Sequence, residues 1–160
     1  MPLLLKGIMT GGRVMSVLDD NAARNLATTV ALYAATARGD WAAAEAMLCD
    51  DLVIMEADTL PFGGIYRGKG ALRELYAKVL GTSLGAATIN VKNKMAAGSE
   101  VVYLLELVPP KGESLALVEV FHFALDGRVA AIKPYYYDSA AVHAAVQTAR
   151  ASLTKETDQC

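Results

Sequence analysis

Charge, cysteine and histidine are scarce in this chain, and long uninterrupted apolar runs are missing. Of its 160 residues only 20% are charged, and 15 basic against 17 acidic side chains leave a formal charge of -2. So even a balance supplies no electrostatic footprint for nucleic acid or for an anionic membrane surface, and neither partner is expected. Only two cysteines are present, Cys49 and Cys160, and the second ends a polar tail running through Lys155, Glu156, Thr157, Asp158 and Gln159. No structural disulfide is expected, and Cys49, at the end of an alanine-rich helix, reads as a small buried hydrophobe rather than a nucleophile. His122 and His143 are the only histidines and stand in no metal-ligand spacing, so neither a metal nor a cofactor is expected. Leu3, Leu4 and Leu5 are followed by Lys6 and by Gly11-Gly12-Arg13, which breaks any signal-peptide core, and no segment approaches ~18 apolar residues in a row. A cytoplasmic location is the default expectation. Gly63, Gly64, Gly68 and Gly70 surround Lys69, but Gly70 stands where a phosphate loop needs Ser or Thr, so no nucleotide site is implied.

What the chain has is apolar residues, 54% of the total, of which 28 positions are alanine. Alanine adds helix propensity more than core volume. The length suits one domain, expected over residues 19–151, with 1–18 a flexible extension and 152–160 a C-terminal tail. From Asp19 to Ala37 the positions Ala23, Leu26, Ala27, Val30, Ala31, Tyr33 and Ala34 recur at three and four, predicting a first helix. Asp40 caps a second, Trp41 to Leu48; Leu52 to Met55 reads as a short strand; a turn-rich stretch follows, and Lys69 to Leu80 reads as a third helix. After Gly85 the period changes. Ala87 to Met95, Glu100 to Val108, Ser114 to Leu125 and Arg128 to Tyr137 read as four antiparallel strands, the last two joined by Asp126-Gly127, a hairpin pair suited to positive φ at both central residues. A final helix is expected from Ser139 to Ala151. Helices followed by a run of strands indicate an α+β fold, with helices packed on one face of a curved antiparallel sheet.

The strands are apolar on both faces. Tyr103, Leu105 and Leu107 alternate with Val102, Leu104 and Val108, and Leu117, Phe121 and Phe123 alternate with Val118, Val120 and His122. The helices can cover one face only, so a homodimer through the outer sheet face is expected.

Acidic residues that interrupt apolar strands are the candidates for chemistry. Glu56 closes the strand Leu52 to Met55, and Glu119 lies between Leu117 and Phe121 on the Phe123 face; Glu106 falls on the Val102 and Leu104 face, where a surface role fits better. A core-facing carboxylate is costly unless paired, hydrogen-bonded or neutral, and two in one apolar pocket push their pKa values apart, leaving one to accept a proton and the other to donate. Around them Tyr33, Trp41, Tyr66, Tyr103, Phe121 and Tyr136 would line a cavity for a small hydrophobic molecule, since an aromatic body with a polar tip suits a partly oxygenated ligand.

The phrases Tyr33 to Asp40 (YAATARGD), Asp50-Asp51, Tyr66-Arg67-Gly68, Leu72 to Tyr76 (LRELY) and Asp126-Gly127-Arg128-Val129 resemble the NTF2-like superfamily, in its SnoaL-like polyketide cyclase and ketosteroid isomerase branch. The resemblance spans about Ala22 to Val146. It implies a cystatin-like cone of helices against a strongly curved sheet, a pocket between them, and dimerisation through the outer sheet face. It also implies that Glu56 takes the place of the isomerase's general base, that Glu119 falls where that enzyme keeps a protonated acid and near where the cyclases keep an acid/base aspartate, and that Tyr76 supports the oxyanion hole. The principal oxyanion tyrosine would fall on Leu32, with Tyr33 one residue away and about 100° around the helix. The activity implied is cofactor-free proton transfer on a hydrophobic carbonyl compound, leading to isomerisation, cyclisation or dehydration. The other expectation is a ligand-binding or assembly module of the same fold without chemistry.

Overall fold

The change of period after Gly85 marks the passage from a helical half to a sheet half. The computed structural model describes residues 12–146; the expectations for 1–11, for Cys160 and for the tail at 152–160 lie outside them. Helices α1 (Gly12–Ala37) and α2 (Trp41–Ala46) lead into strand β1 (Leu48–Glu56), then β2 (Gly64–Arg67), α3 (Ala71–Leu80) and a 3-10 turn at Ser83–Ala86. Strands β3 (Thr88–Ala97), β4 (Glu100–Val108), β5 (Leu115–Phe123) and β6 (Val129–Tyr136) follow, and residues 139–146 are helical (α4). Helix α1 starts seven residues before Asp19, inside the segment expected to be an extension. Among the described residues no helix is long and apolar enough to cross a membrane.

The six strands form one sheet in the order β2-β1-β6-β5-β4-β3. Four of its five pairings are antiparallel, and β1 runs parallel to β6, so the sheet is mixed where the sequence predicted an antiparallel one. The sequence also gave no hint of β2, hidden in the glycine-rich turn, and cut β1 short. Leu48 and Cys49, assigned to the second helix, are buried at the start of β1. The β5–β6 connection keeps its hairpin, but only Gly127 has positive φ (84°). Asp126 instead stays at negative φ and accepts from the Arg128 N–H, and the register shifts at Phe123, as in a bulged three-residue loop.

The face of α1 that packs on the sheet differs from the predicted one. Ala22, Asn25, Thr29, Leu32 and Thr36 are buried, while Ala23, Ala27, Val30, Ala31 and Ala34 face outward. Polar side chains are tolerated inside because each is hydrogen-bonded: Asn25 Nδ2 donates to the Gly98 carbonyl at 3.1 Å, and Thr29 Oγ1 donates to the Asn25 carbonyl at 2.8 Å. The core between helices and sheet includes Leu48, Leu52, Ile54, Val101, Val129, Ile132 and Val142. Leu52 is fully buried, and Leu52→Ala is expected to cost about 2–5 kcal/mol of unfolding free energy in urea titration, by lost burial and the cavity left behind.

Strand β3 is exposed along nearly its whole length and carries a bulge between Val91 and Asn93. On the outer face of the sheet Val102, Leu104, Val118 and Val120 form a half-buried apolar patch. His122 lies there too, with Nδ1 3.2 Å from Glu100 Oε1. Glu106 pairs with Lys92 at 2.7 Å on the same outer side.

Candidate active site

Strand register assembles the site. Tyr103 of β4 is paired with Glu119 of β5, and Glu119 with Pro134 of β6. The parallel pair Ile54↔Ile132, continued two residues along both strands, sets Glu56 of β1 on the other side of Pro134. One row across the sheet therefore reads Glu56, Pro134, Glu119, Tyr103. With strands about 4.8 Å apart, the backbones of the two glutamates stand about 10 Å from each other, and only the compact proline ring lies between. The next rows toward the open end of the sheet are Tyr136, Leu117, Leu105 and Val91, then Leu115, Leu107 and Ile89.

Helices α1 and α3 close this surface into a cavity of about 170 Å³. Its polar lining is Tyr33, Glu56, Tyr76, Glu119 and Tyr136; the rest is mainly aliphatic, with Leu75, Val79, Leu105, Leu107 and Leu117 prominent. A cavity of about this size holds a single ring in an engineered apolar case. Phe121 lines a small adjoining recess of about 30 Å³ with Leu32, Tyr33, Thr36 and Glu119. Glu56, Pro134 and Tyr136 also border a second, outer cleft of about 540 Å³, on the side of Asp58, Lys133 and Tyr137.

The hydrogen bonds distinguish the two carboxyls. Tyr33 donates its hydroxyl to Glu119 Oε2, whereas Glu56 is 6% exposed and its Oε2 is buried without a partner. Burial pushes the Glu56 pKa up to about 8, with repulsion from Glu119 adding to it. Glu119 is also raised by burial, and the Tyr33 bond pulls it back toward the charged form. The Tyr33 phenol is raised by burial and by the Glu119 charge, and Tyr136 by burial, Glu56 and Glu119. Tyr76 donates to Thr36 Oγ1 at 3.3 Å, and its phenol is raised by burial.

Of the residues singled out from sequence, Glu56, Glu119, Tyr76, Tyr33 and Tyr136 thus meet in one cavity. Tyr33, not Leu32, brings its side chain to the carboxyls. Four of the expected ligand-binding residues do not line the cavity: Phe121 lines only the adjoining recess, and the other three are engaged elsewhere. Tyr66 is buried and donates to the Phe62 carbonyl at 2.6 Å, with Lys78 over its ring. Trp41 packs edge-on against Tyr76 with ring centroids 5.4 Å apart and carries Arg73 on its face. Tyr103 is 2% exposed, its ring 5.0 Å from that of Tyr33, and its hydroxyl is buried without a partner. In each case the aromatic body serves the core. Pro134 and Thr36 were missed; the proline was visible as an interruption of an apolar strand, but its meaning needs the parallel β1–β6 pairing. Among the described residues no three His, Cys, Asp or Glu side chains are grouped so as to hold a metal ion.

Solved structures share this architecture. An NTF2-like protein of Burkholderia xenovorans LB400 superposes with TM-score 0.66 at 20% identity, covering 78% of this chain and 97% of its own. TerC, co-crystallised with polyporic acid, gives 0.65 at 20% identity, covering 78% and 98%. A ketosteroid isomerase-like protein of Kribbella flavida DSM 17836 gives 0.60 at 16%, covering 74% and 81%. At these identities the likeness is one of fold. No curated protein matches the sequence. The family model of the SnoaL-like domain matches residues 29–132, more than half of the chain and including both site carboxyls. On that match and on its NTF2-like, cystatin-like cone, the chain belongs to the SnoaL-like domain family.

Proposed function

We propose that the protein is a SnoaL-like enzyme that moves a proton next to the carbonyl of a small hydrophobic compound, without a cofactor. The observation that carries this reading is the pair of inward-facing glutamates flanking Pro134 in a cavity otherwise lined by aliphatic and phenolic side chains. Burial holds both carboxyls above their ordinary range, Glu56 up to about 8, and raised carboxyls in a cavity are suited to general acid-base catalysis. Isomerisation, aldol-type cyclisation and dehydration share the same first step, removal of an α-hydrogen with stabilisation of the enolate oxygen. The test is exchange of α-hydrogens for deuterium in small cyclic ketones and diketones, followed by NMR. Catalysed exchange with at least one compound is expected. Tight binding with no exchange across the set would favour a ligand-holding module.

The working form we propose is a homodimer joined through the outer sheet face. The patch of Val102, Leu104, Val118 and Val120 continues onto β6 at Tyr135, which is paired with Val118 and 51% exposed. Sedimentation analysis is expected to give twice the chain mass, and Val118→Asp, which places a charge between Leu104 and Tyr135, is expected to give monomer.

A further inference from the structure

The proton-transfer reading leaves open which carboxyl is base and which is acid, and the isomerase side of the resemblance implies Glu56 as base. The hydrogen bonds argue the reverse. We propose that Tyr33 divides the labour: its hydroxyl holds Glu119 as the carboxylate that takes the substrate proton, leaving Glu56 as the neutral acid that donates to the developing oxyanion. This inference rests on the proton-transfer reading of the same cavity.

An O–H donor favours the charged form of the carboxyl that accepts from it. Glu119 has such a donor in Tyr33, and Glu56 Oε2 has none. A buried carboxylate without donors is the costliest state available to the pair, whereas a neutral Glu56 keeps an O–H to give. The titratable groups that feel the Glu119 charge are Tyr33 of α1, Tyr76 of α3, Tyr103 of β4, Tyr136 of β6 and Glu56 of β1, phenols and one carboxyl, and of these only Tyr33 acts back on Glu119, through its hydrogen bond. With no cation in that set, the Tyr33 bond is what distinguishes the two acids. The Tyr76 hydroxyl is already directed to Thr36. Tyr33 is itself held by packing, its ring 5.0 Å from Tyr103 and 6.0 Å from Phe121. In the reaction the Glu119 carboxylate takes the α-hydrogen as a proton, and the C–H electron pair forms the carbon–carbon double bond of the enolate. The carbonyl π pair moves to oxygen, where the Glu56 O–H donates a hydrogen bond. Glu119 then returns its proton to carbon, and no co-reactant is consumed.

The experiment measures deuterium exchange against pH in the full-length protein and in Glu119→Gln, Glu56→Gln and Tyr33→Phe. Glu119→Gln is expected to lose about 10²–10⁴-fold, the range for a missing general base. Glu56→Gln keeps an N–H donor at the acid's position and is expected to lose only about tenfold. Tyr33→Phe, acting as a positioning change, is expected to shift the rising limb of the pH profile about one unit upward; a merely structural role would lower the rate without moving the limb. A Glu56→Gln loss equal to or greater than that of Glu119→Gln overturns the proposal and leaves proton transfer standing. Carbon-13 titration of the glutamate carboxyls decides the matter independently of turnover: Glu119 is expected to ionise before Glu56, with the gap narrowed in Tyr33→Phe, and the opposite order overturns the assignment. If no ketone exchanges, the proton-transfer reading falls while the titration order still judges the part given to Tyr33.

Discussion

Raising the pH from 5 to 9 is expected to destabilise the protein by up to about 5 kcal/mol, and Glu56→Gln is expected to remove most of that slope. The sign follows from where the proton is held. The native state keeps the Glu56 proton up to about pH 8, whereas the unfolded chain releases it near 4.5. Between those values the folded form binds more protons, so each pH unit costs about 1.4 kcal/mol. The stabilisation is complete below pH 4.5 and lost as pH climbs through 8. Glu119 is raised as well and acts in the same direction, leaving a residual slope in the variant. Urea unfolding of both proteins across this range checks the prediction; parallel curves would show that Glu56 ionises in the fold as readily as in water. The buried glutamine lowers the whole curve by about 1–3 kcal/mol for its imperfectly paired amide, so the slope and not the height is the reading.

Pro134→Leu is expected to reduce α-hydrogen exchange by about 10²-fold or more while the domain still folds. Proline is the one residue between the two glutamates, and it lines the cavity. A leucine side chain would stand where the proposed reaction places the substrate carbon, and misplacement by about 1 Å is enough for such a loss. The backbone gains an N–H in a central strand, and overpacking costs about 1–3 kcal/mol, so melting measured beside the exchange rate separates the two effects. A leucine variant with wild-type exchange would remove the space above Pro134 as the reaction site.

Much of this was legible in the sequence because Glu56 and Glu119 are charges set in apolar strands, and period-2 alternation assigns each a face without knowledge of the neighbours. Strand β4 was bounded correctly for the same reason. Helix α1 was harder. Alanine is apolar yet small, so Ala23, Ala27, Ala31 and Ala34 make a regular stripe that costs little to expose, while Asn25 and Thr29 go inside because partners 73 and four residues away accept their protons. Hydrophobicity alone cannot report such a partner. The parallel β1–β6 pairing was illegible for a related reason: it joins segments separated by α3 and the β3–β5 strands, and no local pattern encodes it. With that pairing unknown, Pro134 was a strand residue of no special interest.

The bulge in β3 bears on how copies of this protein can associate. An open sheet can recruit further strands at its edges and grow without limit. Here one edge, β2, is only four residues long, and the other is kinked between Val91 and Asn93 with Lys92 and Lys94 beside the kink. Both edges therefore discourage strand addition, which leaves the outer face, with Val102, Leu104, Val118 and Val120, as the surface the proposed dimer would use. The edge geometry thus agrees with the closed pair proposed above and argues against an open-ended polymer of strands.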